Sequence, residues 1–486
     1  MEVKRKFTQG YTFKVLMLAA LILMMLIPLA MIRGLINERN WTAQFAETDI
    51  MEAWGSELVA AGPMLVVPGI RTEEVRTVLS GGAERVDTVR RSFTLVIMPE
   101  RLDIRADFQT EIRRRGIFSV PLFSGGLAFA GNFNPVSALA AAAHNEELFL
   151  DQAELVIVLS SQQGIRRIER AAWNNGLAGD DSDLFFQPGN RNLGNIAAHV
   201  PLVRQPAGRQ MGGGIFAALP DLTGSPVFFD ISISLQGGRM VRFLPTGQQT
   251  HVTVASDWSS PSFQGSFLPL RSDISVDGFY AVWDISYLSR DIPLFWRNET
   301  SYTQRNYSAS LFGVNFFRAI DTYALNTRAT RYAVLFLVVP FLALFLLEMH
   351  TKKSIHPVQY LLSGIANVIF YLLLLSLSEQ MQFHTAYLIA AFAVATLMTL
   401  YSRSLLPSWN KSFYVALAVS LSYILLYAVL NAESFALLIG SIYAFVLVAL
   451  VMFLTRKMDW YGIGSQKTEA VEKITEEQPG EVIGAR

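Results

Sequence analysis

The chain has 486 residues, 51% of them hydrophobic and 16% charged, with equal numbers of acidic and basic side chains. Soluble domains carry about 25% charged residues, so an ordinary aqueous enzyme is excluded, and a net charge of zero removes the electrostatic case for nucleic acid as a partner. There is no cysteine, which rules out disulfides, thiolate catalysis and cysteine-ligated zinc or iron–sulfur sites.

The apolar excess, a mean hydropathy of +0.32, is unevenly placed. A basic start, MEVKRK, leads into VLMLAALILMMLIPLAMI at 15–32. A bilayer core needs roughly 17–25 apolar residues per helix, and this run is longer than the core of a cleaved signal peptide and lacks its small-residue cleavage site. The expectation is an uncleaved signal anchor over 15–33, behind a cytoplasmic segment 1–14. A further helix is expected at about 40–60.

Residues 34–331 read as one large aqueous domain. SFTLVIM, AELVIVL, FFDISISL, THVTVAS and FYAVWDISYL alternate with a period near two and are rich in β-branched and aromatic residues. Gly and Pro punctuate them, as in PGNRNLGN and LPTGQQ. The predicted class is a mostly-β, sandwich-like domain, with a second helix at PVSALAAAAHNEELF. Strand–proline turn–strand echoes on either side of residue 210 raise two stacked sub-sandwiches, with the Gly-rich AGRQMGGGIF as a linker or a surface loop.

Chemistry is thin in this domain. AAHNEEL sets a His beside two Glu without the H-E-x-x-H spacing, and neither a G-x-S-x-G elbow nor a P-loop occurs. Asp180, Asp181 and Asp183 lack EF-hand spacing and read as a solvated loop rather than a calcium site. Asn40, Asn298 and Asn306 are glycosylation sequons that matter only in a glycosylating secretory pathway. No catalytic residue, cofactor or metal is expected. In 256–290, Trp258, Phe263, Phe267, Phe279, Tyr280 and Trp283 crowd a short passage. Filling of a sandwich core is the first expectation; a surface facing an envelope protein or peptidoglycan is the sharper alternative.

Five more spans are predicted, at about 332–349, 358–378, 385–402, 412–430 and 434–454, followed by a polar tail, 455–486, expected to be disordered in the cytoplasm. Lysine and arginine orient them. One side holds Lys4, Arg5, Lys6 and Lys14, then Lys352 and Lys353, then Arg403 and Lys411, then Arg456 and Lys457, whereas the loops EQMQFHT and NAE hold none. Residues 34–331 contain no lysine at all. Both ends are therefore expected in the cytoplasm and 34–331 outside.

His356, Glu379 and His384 bracket two of these spans as if a proton path or metal site lay in the membrane. Pro357 instead reads as a first helical residue, which places His356 at one interface and Glu379 and His384 at the other. Glu348 sits one or two residues from a span's end, and no span has a charge at its centre. Solvated helix ends are the expectation. Inside the bundle, Ser363, Gly364 and Asn367, with Ala391/Ala395 and Gly440/Ala444 spacings, suit close helix packing, and Pro340 a kink. The rival to a packed anchor is a transporter or exporter subunit with Asn367, Tyr371 and Ser376 lining a polar cavity.

Several of these stretches carry a resemblance. RGIFSVPLF (115–123), PSFQGSFLP (261–269), GFYAVW (278–283), IHPVQYLL (355–362), YLLLLSLSEQMQFHTAYLIAA (371–391) and TRKMDWY (455–461) are similar to the CreD family of bacterial inner-membrane proteins, also described as colicin-tolerance or cell-envelope integrity proteins. They span nearly the whole chain apart from about 165–225. One departure is Ser259, where the family pattern has proline after the tryptophan, which bears on the local turn. The resemblance implies an inner-membrane protein under two-component control, linked to envelope stress and β-lactam responses, with no catalytic residues to carry over. The expected function is non-enzymatic support of envelope integrity through the outer domain, with the lipid bilayer and an envelope component as partners.

Overall fold

The computed structural model describes residues 11–55, 57–78, 84–136, 145–174, 181–189, 214–220, 222, 226–297, 307–316, 322–351, 354–405, 409–432 and 435–456. Asp180, the sequons at Asn298 and Asn306, Lys352, Lys353 and the tail from 457 lie outside them. The chain forms two compact units, residues 1–42 with 320–486, and residues 43–319.

Six helices among the described residues are long and apolar enough to cross a membrane; five lie within the first unit and the other begins in it. They are α1 (Tyr11–Trp54), α2 (Thr322–Thr351), α3 (Pro357–Ser378), α4 (Phe383–Leu405), α5 (Trp409–Asn431) and α6 (Ala436–Thr455). Hydrocarbon offers no partner for backbone N–H and C=O groups, so runs of this length close their hydrogen bonds internally. The separate helix expected at 40–60 does not exist: α1 is unbroken from Tyr11 to Trp54. RGLINERN contains no proline and only one glycine, so nothing interrupts the ladder after the apolar run. Likewise α2 begins at Thr322, ten residues before the expected span.

Gly364 lets α1 and α2 approach α3 closely. A Cβ there would lie 2.6 Å from the Phe341 ring of α2 and 3.1 Å from Met25 of α1. The Gly440/Ala444 pair does no such work, since nothing lies within 4 Å of a Cβ at Gly440 and α6 has no buried residue.

The second unit is built from two mixed sheets. In the ten-stranded sheet the order is β14 (Pro261–Gly265), β18 (Phe312–Phe316), β12 (Met240–Leu244), β1 (Leu58–Val78), β6 (Glu154–Leu159), β10 (Gly214–Ala218), β9 (Gln187–Pro188). Off this path, β2 (Glu84–Ile97) and β5 (Glu146–Leu148) pair with β1, and β17 (Phe295–Arg297) pairs with β2. The eight-stranded sheet runs β15 (Arg271–Ser275), β16 (Gly278–Ser286), β13 (Gln249–Ser256), β3 (Arg101–Arg115), β4 (Phe118–Phe133), β11 (Val227–Gly238), β7 (Ile165–Asn174), β8 (Asp181–Asp183). Asp181 and Asp183 therefore belong to an edge strand.

Alternation decides which faces meet. Along β11, Val227, Phe229, Ile231, Ile233 and Leu235 are buried while the residues between them are not. The inner faces of both sheets share one core, which includes Leu65, Phe108, Phe123, Trp173 and Phe243. Burying each such side chain contributes about 1.5–3 kcal/mol. β6 is buried along its whole length, because a second cluster, with Ile292, Trp296 and Leu311, joins Val156 and Val158 on the opposite face of its sheet. The eight-stranded sheet keeps a polar outer face.

Two sub-sandwiches split near 210 are not what forms. Strands from both sides of 210 occur in both sheets and pair directly, in parallel as β1 with β12 and β3 with β13, and antiparallel as β6 with β10 and β4 with β11. The helix expected at 135–149 is also overturned at its end: Glu146–Leu148 is a strand on β1, with Glu146 held by Arg71 at 2.6 Å and Arg297 at 2.8 Å. The β3–β4 hairpin turns through Gly116–Ile117, where φ is +61° at Gly116, the left-handed value that such a tight loop assigns to glycine.

Candidate functional site

Of the six aromatic residues singled out in 258–283, five fill space inside. Phe279 and Trp283 are buried on the inner face of β16, and Trp258, Phe263 and Phe267 pack against the same core. The Phe263 and Trp283 rings meet edge to face at 5.7 Å, and Trp283 Nε1 donates to the Phe267 carbonyl at 3.1 Å. Trp258, Phe263 and Phe267 are half-buried rather than enclosed. The turn at Ser259 is closed locally, with Trp258 Nε1 donating to the Ser260 carbonyl at 3.0 Å. Tyr280 alone faces outward, 46% exposed, because its neighbours in the period-two pattern point in.

In the helical unit, Asn367 is 2% exposed. Its Nδ2 donates to the Phe336 carbonyl of α2 at 3.4 Å, and Tyr423 of α5 donates to its Oδ1 at 2.8 Å. Tyr387 of α4 then donates to the Tyr423 carbonyl at 2.7 Å. One polar column thus ties four helices together. Ser376, expected beside Asn367 and Tyr371, is exposed on another face of α3, since nine residues of helix do not return to the same side.

Asn367→Leu removes the Tyr423 bond and leaves a buried hydroxyl, at a cost of about 1–2 kcal/mol. A lowered melting temperature with wild-type function retained is the expected result; loss of a transport activity at unchanged stability would favour the transporter alternative.

The bracketing trio does not converge. His356 caps the start of α3, where its Nδ1 accepts from the Val358 N–H at 3.3 Å while Gln359 Oε1 accepts from the His356 N–H at 2.9 Å. Glu379 is the C-cap at the far end, 22 helical residues or about 33 Å away. There it accepts from Tyr323 at 3.2 Å and lies 3.6 Å from Arg39, whereas His384 pairs with Tyr427 at 2.9 Å. Among the described residues no group of three or more His, Asp or Glu is arranged to hold a metal.

Glu348 is the polar site that sequence reasoning missed. It is not a solvated helix end but 4% exposed, ion-paired with Lys14 of α1, accepting from Tyr360 of α3 at 2.7 Å and from the Ile355 N–H at 3.0 Å. The signal was present: Lys14 and Glu348 each lie beside an apolar run. Their pairing across 334 residues was not visible.

Six membrane-length helices, one before and five after a two-sheet domain, define a multi-pass membrane protein. A family model described as Inner membrane protein CreD matches residues 10–461. Inner membrane protein CreD of Escherichia coli (strain K12) is 30% identical over 466 residues, which cover 95% of this chain and 96% of that protein. The chain belongs to the CreD family of inner membrane proteins.

Proposed function

We propose that this protein supports the integrity of the cell envelope without catalysis, through contacts made by its sheet domain on the periplasmic side. Both termini lie in the cytoplasm in this reading, with 34–331 outside. The observation that carries it is the division of labour between the units. The buried pairs Asn367 with Tyr423 and Glu348 with Lys14 link helices to one another, whereas the buried Tyr371 hydroxyl has no hydrogen-bond partner among the described residues. The sheet domain has a large core of its own and an outer sheet face left polar. The orientation is supported by the absence of lysine from 34–331 and by the basic residues of the short loops.

A deletion strain is expected to release a periplasmic marker under detergent and β-lactam stress, with rescue by the full-length chain and not by one lacking residues 60–320. No leakage under any stress, or full rescue by the truncated chain, overturns the reading. Orientation is read separately from His356→Cys and His384→Cys, since the natural chain has no cysteine. The two positions label from opposite sides, and labelling from one side refutes the topology.

A further inference from the structure

On the outer face of the eight-stranded sheet, the pairing of β3, β13 and β16 sets outward residues in rows. Arg101, Gln249 and Ser286 form one row; Asp103, His251 and Asp284 form the next; Arg105, Thr253 and Val282 form the third. Their sequence neighbours Leu102, Ile104, Val252 and Val254 are buried in the core, so the backbone presenting the rows is held from beneath. All of the row residues except Val282 line an open groove of about 1000 Å³, at the upper end of small-ligand sites. Glu100, Gln248 and Tyr287 stand at one end and Tyr280 at the other. Six residues of strand separate Tyr280 from Ser286, a length of about 20 Å, which suits an oligomer better than a single small molecule.

The groove's chemistry narrows the ligand. Its formal charge is nearly balanced, with Glu100, Asp103 and Asp284 against Arg101 and Arg105. A phosphate or polyanion site would be dominated by Arg and Lys, and a cation site by carboxylates alone. What lines it instead is a set of planar groups able to engage pairs of hydroxyls, flanked by tyrosine rings with one apolar face and one polar tip. Several are already oriented by one another: Arg101 Nε lies 3.1 Å from Asp103, Asn132 donates to Glu100 at 2.9 Å, and Gln249 donates to Asp284. Such ordering lowers the entropy that a ligand must overcome.

We propose that this groove binds an uncharged oligosaccharide, with a sugar ring stacked on Tyr280 and hydroxyls bonded to the Asp103–His251–Asp284 row. The proposal rests on the periplasmic placement of the domain, where envelope glycans are within reach. A β-1,4-linked N-acetylglucosamine strand and a glucan share the chemistry required.

The test uses the full-length chain in lipid nanodiscs, titrated with N-acetylglucosamine tetramer, β-1,4-glucose tetramer and a heparin-derived tetrasaccharide, and followed by saturation-transfer NMR and calorimetry. At least one neutral tetramer binds saturably; preference for the first indicates a strand of N-acetylated amino sugars, and for the second a glucan. Tyr280→Ala weakens binding about tenfold, the scale of a single aromatic hot spot, while Tyr280→Phe stays within about threefold of native. Asp284→Asn, on the same rigid strand, also weakens it.

The proposal fails if neither neutral tetramer binds, if heparin binds in their place, or if Tyr280→Ala and Asp284→Asn both bind as the native chain does. Leakage rescue keeps the two readings apart. A Tyr280→Ala chain that has lost sugar binding but still rescues overturns the groove as the working surface and leaves the integrity role standing. Saturable sugar binding in the native chain, with no leakage on deletion, does the reverse.

Discussion

Replacing Lys14 with methionine destabilises the helical unit by about 3 kcal/mol, because it leaves the Glu348 carboxylate buried with its counter-charge gone. Lys14 is itself only 19% exposed and Glu348 is 4% exposed, so solvent screening does little to soften the loss. The tyrosine and backbone donors that remain, Tyr360 and Ile355, were arranged around a carboxylate whose third partner was the ammonium. The double variant Lys14→Met/Glu348→Gln regains most of the stability. A neutral amide can accept from Ile355 and donate to Tyr360 without a counter-ion, so the two substitutions are strongly non-additive. Thermal unfolding in detergent checks this. A single variant as stable as the native chain, or a double variant no better than the single, would show that the pair does not hold α1 to α2 and α3.

Arg290→Met has a comparable effect in the sheet unit, about 3 kcal/mol. Arg290 is 9% exposed. Its Nη1 donates to the Ile292 carbonyl at 2.8 Å, and its Nη2 donates to the carbonyls of Thr246 at 2.9 Å and Gly247 at 2.8 Å. Methionine fills the volume and orphans all three acceptors. Lysine rescues little, since one ammonium cannot reproduce the fork. Burial lowers the Arg290 pKa to about 10, so it remains charged at neutral pH. Because the folded state holds this proton less tightly than the unfolded chain, the residue's contribution to stability rises as the pH climbs above about 10. Chemical denaturation followed by tryptophan fluorescence should show a lower midpoint at unchanged slope. Arg290 also ties down the segment leading into Gln248 and Gln249 at one end of the groove, so the variant's saccharide affinity should fall with its stability. A native midpoint would show that water or a local shift replaces the three bonds.

Much of the fold was legible because its signals are local. The 15–32 run needs only length and apolarity to be a spanning helix, and Pro357 needs only its missing N–H to begin α3. FFDISISL alternates so regularly that its inward set, Phe229, Ile231, Ile233 and Leu235, follows from the period alone. Local rules misread two other places and left a third open, each for a stated reason. Helix continued past residue 33 because no breaker lies in the polar stretch. Glu146–Leu148 became strand because Arg71 and Arg297 supply charges for Glu146 and β1 supplies an edge. The aromatic passage at 258–283 allowed either a core or a surface, and only the sheet opposite it decided for the core in all but Tyr280.

The sequence by itself determined the class of protein: six apolar helices, one before and five after a β-rich domain, and a chain without thiol chemistry. Each of those depends on composition or on spacing along a short stretch. The tertiary structure alone decided what sits beside what. The parallel pairing of β3 with β13 aligns Asp103 with His251, and β16 adds Asp284 to the same row. Lys14 meets Glu348 across 334 residues. Closing loops of that length costs entropy that no local pattern records, and it is repaid only when the whole core and bundle assemble together.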